Sequence, residues 1–227
     1  MFFDPMYLIL VGPGVLLALW ASFKVKTTFD RYSRVALASR MSGAEIAREL
    51  LARSGVRGVD VELHDGFLSD HYHPLDRKVR LSRAVYEGRS VAAAGVAAHE
   101  VGHAIQHHQG YKLMRARQAL VGPANLGTNL SYVAIIVGFL LHLAGLIWVG
   151  IVLFSLVVLF QLVTLPVELD ASRRARVQLL ATGIVGEAEG RHVGKVLGAA
   201  ALTYVAALIT SILTLVYFVL RFAGARR

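Results

Sequence analysis

A mainly α-helical integral membrane protein with about four transmembrane helices, plus a membrane-associated portion carrying a small β-hairpin, is the fold class this sequence predicts. Three observations predict it. Of the 227 residues 56% are hydrophobic, and the mean hydropathy of +0.56 exceeds that of ordinary soluble chains. The apolar residues gather into runs long enough to cross a bilayer. Lys and Arg, which bring the formal net charge to +9, cluster between those runs, where membrane topology places them.

One membrane-integrated domain is expected to take up the whole chain, with a first span over 6–23. Pro5 to Phe23 carries no charge, and Lys24, Lys26, Arg31 and Arg34 follow at once. A cleaved signal peptide has its basic residues before the apolar run, so a retained span with its N-terminus outside fits better. Gly12-Pro13-Gly14 is expected to kink or soften it. Residues 24–118 make the membrane-associated portion. Within it Ser42-Gly43-Ala44-Glu45 reads as a capping box, Ile46, Leu50 and Leu51 give the helix an apolar face, and Gly55 stops it. Val59–Leu63 and Lys78–Leu81 alternate as two short strands around a polar connection, Gly66 to Asp76. A helix from about Ser90 to His108 follows, ended by Gly110.

From Ala119 to Val167 no side chain is charged. As one helix this block would be roughly 70 Å long, more than twice the hydrocarbon thickness. It must fold back, and His142-Leu143-Ala144-Gly145 is the natural turn, giving spans 119–143 and 145–167. Residues 168–195 return to charge, and 196–220 form the fourth span. The Lys- and Arg-rich segments 24–118 and 168–195 are expected on the cytoplasmic side of the plasma membrane. Arg221, Arg226 and Arg227 fall on the other side, against the rule. Cysteine is absent, so disulfides and thiolate metal sites are excluded and any metal must be held by His and carboxylates. No aromatic-basic RNA signature or DNA-reading motif appears, and a nucleic-acid partner is not expected.

Chemistry concentrates at His99-Glu100-Val101-Gly102-His103. On a helix this H-E-x-x-H spacing turns two imidazoles to one side, able to hold Zn²⁺, while Glu100 points toward a water as general base. Gly102 removes a side chain where another backbone must come close. Unpaired His and Glu would be costly in so apolar a helix, which weighs against a chance match. A catalytic zinc site needs a third protein ligand. The version with a distal third His, H-E-x-x-H-x-x-G-x-x-H, fails because Gln106 and Gln109 occupy its two later positions. Glu168 is the first carboxylate after the charge-free block, and a hairpin that re-enters its own side brings it back beside the preceding helix. Asp170 is the competitor. It lies about 200° from Glu168 around a helix, and could instead accept a hydrogen bond from His99 or His103.

At these residues a resemblance emerges. His99 to Gln106 resembles the signature of the YugP-type neutral zinc metallopeptidases, a family of bacterial membrane proteases. Ser42-Gly43-Ala44-Glu45-Ile46-Ala47, Ser69-Asp70-His71-Tyr72-His73-Pro74 and Leu165 to Arg174 are similar too, in the same order and with four spans. His73 departs from the family pattern, where Asp is expected. The resemblance implies a zincin-like arrangement akin to the HtpX and prenyl-protein protease group of gluzincins. It implies His99, His103 and Glu168 as zinc ligands and Glu100 as the base.

The expected function is therefore peptide-bond hydrolysis at a zinc site, with a peptide or membrane-protein substrate. His71 and Tyr72 are candidates for transition-state contact, and an edge strand there could take substrate by strand addition. His107 and His108 are expected at the interface, His142 in the hairpin turn and His192 in the last cytoplasmic loop. Besides the bilayer, membrane partner proteins or a second copy of the chain are compatible partners. The rival reading is a non-catalytic membrane scaffold or adaptor with a structural zinc, but the sequence offers no clear fourth ligand. A transporter is disfavoured because the middles of the spans carry no Asp, Glu, Lys or Arg.

Overall fold

The computed structural model describes residues 4–66 and 68–223. In chain order the elements are α1 (Pro5–Ser33), α2 (Gly43–Arg53), β1 (Asp60–His64), β2 (His71–His73), β3 (Lys78–Ser82), α3 (Arg83–Tyr86), α4 (Val91–His108), α5 (Lys112–Leu140), α6 (Ala144–Ala181) and α7 (Glu187–Phe222). They fall into two compact units. The first takes in Met1–Ala21, Arg115–Val167 and Thr203–Arg227, the second Ser22–Met114 and Glu168–Leu202.

Helices α1, α5, α6 and α7 are each long and apolar enough to cross a membrane. Their portions in the first unit enclose Val11, Ile135, Phe154, Tyr217 and Phe218, with the Phe154 and Phe218 rings edge to face at 5.6 Å. Lipid gives helices no hydrophobic reason to associate, so close backbone approach must do so. A Cβ on Gly127 would lie 2.5 Å from the Leu153 carbonyl oxygen, and one on Gly14 would lie 2.9 Å from Thr210 Oγ1. Ile9, Leu16, Leu19, Leu140 and Val152 point outward. Large apolar side chains exposed in such number are unfavourable in water and suit hydrocarbon.

Several boundaries differ from the sequence expectation. The hairpin turn lies where expected, with His142 in it at φ +56°. However, α5 begins at Lys112, α6 runs through Val167 to Ala181, and α7 begins at Glu187. Polarity marks where a span should leave the bilayer, whereas a helix ends where its backbone finds a stop, here Gly183 at φ +70°. His192 is accordingly helical rather than in a loop, and its ring lies 5.1 Å from that of Tyr32. Pro13 sits inside an unbroken α1. Arg221 pairs with Asp4 at 3.2 Å. That neutralises one of the three basic residues that run against the charge rule; Arg226 and Arg227 lie outside the described residues.

In the second unit, Ser42 and Glu45 form the expected capping box on α2, and Ile46, Leu50 and Leu51 are buried. Gly55, at φ +68°, follows the helix. The sheet corrects the hairpin expectation. β1 and β3, the two alternating runs, are parallel neighbours, and β2 forms the hairpin with β3, giving the order β1-β3-β2. Alternation shows which residues face the core but not the direction of pairing. At three residues β2 is too short to alternate visibly. Glu62 on β1 is held by Lys78 and Arg80 of β3, each at 2.7 Å, and the hydrogen bonds from Arg80 and then Lys78 bring its carboxyl down to about 2.

Candidate metal centre

Helix α4 is built to carry buried polar groups. The Ser90 hydroxyl accepts from the Ala93 N–H at 3.2 Å, capping the first turn. Small Ala and Val side chains then let α4 pack closely up to His99. At the other end Gly110, with φ +63°, turns the chain away.

Gly102 meets the backbone of α6: a Cβ there would lie 2.6 Å from the Ala171 carbonyl oxygen. That approach fixes where Glu168, three residues earlier on α6, can reach. Its Oε2 lies 3.1 Å from His99 Nε2 and 3.3 Å from His103 Nε2, and Glu168 is only 2% exposed. One ligand atom from each of the three residues lies within 4.8 Å of the others. The sequence-derived trio is thus brought together.

Each imidazole is also gripped at its far nitrogen. His103 Nδ1 lies 3.0 Å from Gln106 Oε1, and the Gln106 amide donates to Asp170 Oδ2 at 3.0 Å. Arg173 and Arg174 pair with that same carboxylate. His99 Nδ1 lies 3.2 Å from Ser172 Oγ. Asp170 therefore reaches a histidine through Gln106 rather than directly. Gln109 accepts from Arg174 Nη1 at 2.6 Å. In the sequence Gln106 belongs to the signature and excludes a third histidine, and Ser172 lies in the Leu165–Arg174 stretch, but neither is marked there as a partner of a ligand histidine. Their signals were the helical spacings 103/106 and 168/172, which put each pair on one face.

Glu100 stands outside the trio. Its Oε2 accepts from the Tyr72 backbone N–H at 2.9 Å. Burial pushes its carboxyl up to about 7, against the pull of nearby His99 and with the push of Glu168. Burial likewise raises the Asp70 carboxyl, which holds the Ser82 N–H and hydroxyl at 2.7 and 3.1 Å. Tyr72 thus meets the site through its main chain, while its phenol lies 2.8 Å from His107 Nδ1. His71 Nδ1 lies 2.8 Å from the Ser69 carbonyl oxygen, and its ring stands edge-on to that of His64 at 5.3 Å. His73, where the family pattern leads one to expect Asp, contacts Asp76 at 3.2 Å.

Comparison with known proteins gives the family. The sequence profile of a family described as "Putative neutral zinc metallopeptidase" matches residues 7–223. The chain belongs to that family. It is also 44% identical to the "Putative membrane protease YugP" of Bacillus subtilis (strain 168) over 221 residues, which is 97% of this chain and 98% of that protein. No solved structure gives a significant match.

The donor set of this family member suits zinc. Two imidazole nitrogens and one carboxylate oxygen are ligands zinc accepts, whereas calcium and magnesium prefer all-oxygen cages. With Nδ1–H of His103 donated to Gln106, its Nε2 lone pair is left facing a carboxylate oxygen, an arrangement a cation would close. Among the described residues the group contains three protein donors, as in catalytic zinc sites; structural sites are closed by four.

Proposed function

We propose that this protein is a multi-pass zinc endopeptidase of the plasma membrane, with its site on the cytoplasmic side and peptides or membrane proteins as substrates. The observation that carries this reading is the convergence of His99, His103 and Glu168, with Glu100 buried beside them and outside the ligand group. When bound, zinc supplies a Lewis acid that lowers the pKa of a water ligand to about 7 and polarises the scissile carbonyl.

The chain's own residues do the rest. Glu100 takes a proton from the attacking water and passes it to the leaving amine, a task suited to a carboxyl whose pKa lies near neutrality. The Tyr72 N–H holds the Glu100 oxygen it contacts, leaving the other to exchange the proton. β2 is an edge strand of the sheet, so an extended substrate segment added along it would lie with its backbone next to Glu100. Tyr72 on that strand already engages its N–H with Glu100 and its phenol with His107, and His71 engages Nδ1 with the Ser69 carbonyl, so the developing oxyanion is left to the bound metal.

Glu100→Gln tests the reading. Zinc content should match that of the unsubstituted protein, while cleavage of casein or of a membrane-protein substrate falls by at least about 100-fold. Chelation of the unsubstituted protein should abolish cleavage, and added zinc should restore it. Full cleavage by the variant removes Glu100 as base. Cleavage that survives chelation removes the metal.

A further inference from the structure

We infer that Gln106 and Asp170 act together as a relay that fixes the tautomer of His103. The inference deepens the zinc-site reading above and rests on it. A His ligand must offer a bare ring nitrogen, and which nitrogen is bare depends on what the other one binds. Here the choice is made two residues away. The Asp170 carboxylate, paired with Arg173 and Arg174, is ionised and can only accept. It therefore draws the NH₂ end of the Gln106 amide, 3.0 Å away. The other end of the amide, Oε1, must then face His103 Nδ1 at 3.0 Å, and it too can only accept. Nδ1 must carry the proton, and Nε2, the atom beside Glu168, is left bare.

Without Asp170 the Gln106 amide could turn over, present NH₂ to Nδ1 and put the proton on the wrong nitrogen. Gln106 is 0% exposed, so no bulk water can take over the role. Both residues are positioning residues: neither belongs to the ligand group. The relay also ties the helix carrying the histidines to the helix carrying Glu168, since Asp170 and Glu168 are two residues apart on α6.

The experiment measures zinc affinity of the detergent-solubilised full chain, by competition with a chromophoric chelator, and the visible spectrum of the cobalt-substituted protein. Gln106→Leu and Asp170→Ala should each weaken zinc binding by about 10- to 100-fold. The pair combined should lose no more than the worse single variant, because both break one chain. Asp170→Asn, which can still offer an oxygen to Gln106, should recover most of the affinity and an unaltered cobalt spectrum. Equal zinc affinity in Gln106→Leu and the unsubstituted protein overturns the relay. So do losses that multiply in the double variant. A larger loss in Asp170→Asn than in Gln106→Leu makes Asp170 a direct ligand and also overturns it. If the unsubstituted protein binds no zinc, the proposed function falls along with the relay, whereas a relay failure with zinc bound leaves that function intact.

Discussion

Glu100 has to be both buried and willing to exchange a proton, and these demands conflict in a measurable way. Burial disfavours its charge, and the Tyr72 N–H compensates only in part, so its pKa rises from the ordinary 4.5 to about 7 in the folded, metal-free protein. The unfolded chain therefore loses this proton first. Between pH 4.5 and 7 the folded state binds more protons than the unfolded state, so stability falls as pH rises across that window. The shift amounts to about 3 kcal/mol, at 1.36 kcal/mol per pKa unit. Gln at this position does not titrate. The other titrating groups are common to both proteins, so the thermal midpoint of metal-free Glu100→Gln should gain on that of the unsubstituted protein as pH rises from 4.5 to 7. Parallel curves for the two proteins mean that Glu100 is not destabilised by its burial. A residue that gains stability when its carboxylate is removed is being kept for something other than the fold.

The site depends on two helices meeting without a side chain between them. Gly102 of α4 faces the Ala171 carbonyl, and Ala in its place would put a Cβ 2.6 Å from that oxygen. The helices must separate, at a cost of about 1–3 kcal/mol, and Glu168 moves with α6. Gly102→Ala should lower zinc affinity by at least about 10-fold. Gly198→Ala in α7, where a Cβ meets nothing within 4 Å, should leave zinc binding unchanged and stabilise the protein by about 0.5–1 kcal/mol. Identical zinc affinities would show that helix spacing does not set the Glu168 position. The need for Gly102 could be read from the sequence, as could the capping box at Ser42, the start of α4 at Ser90 and the four apolar helices. All of these are encoded over a turn or two of local chain. The parallel pairing of β1 with β3 was not legible, since neither run records its neighbour's direction. Nor was the path from Asp170 through Gln106 to His103: it joins α6 to α4 across sixty-odd residues of chain and depends on how the helices are set side by side.

At the scale of the whole molecule the charge distribution makes a claim about sidedness. Helix α6 is 38 residues long, roughly 57 Å at 1.5 Å per residue, so its two ends are far apart. The α5–α6 turn at its N-terminal end has no Lys or Arg, while Arg173, Arg174 and Arg176 crowd its C-terminal end, with Arg191 and Lys195 just beyond. Arg221, an apparent exception, is paired with Asp4 and so carries less weight. The positive-inside rule then predicts that the end bearing Glu168 and Asp170 lies in the cytoplasm. The absence of cysteine makes this directly testable. His142→Cys in the turn and Glu187→Cys at the start of α7 each introduce a single thiol at an exposed position. In intact cells a membrane-impermeant thiol reagent should label position 142 and not 187, and permeabilisation should make both reactive. Labelling at 187 without permeabilisation would reverse the orientation. The zinc site would then face outward, and its substrates would have to be extracytoplasmic peptides or protein segments rather than cytoplasmic ones.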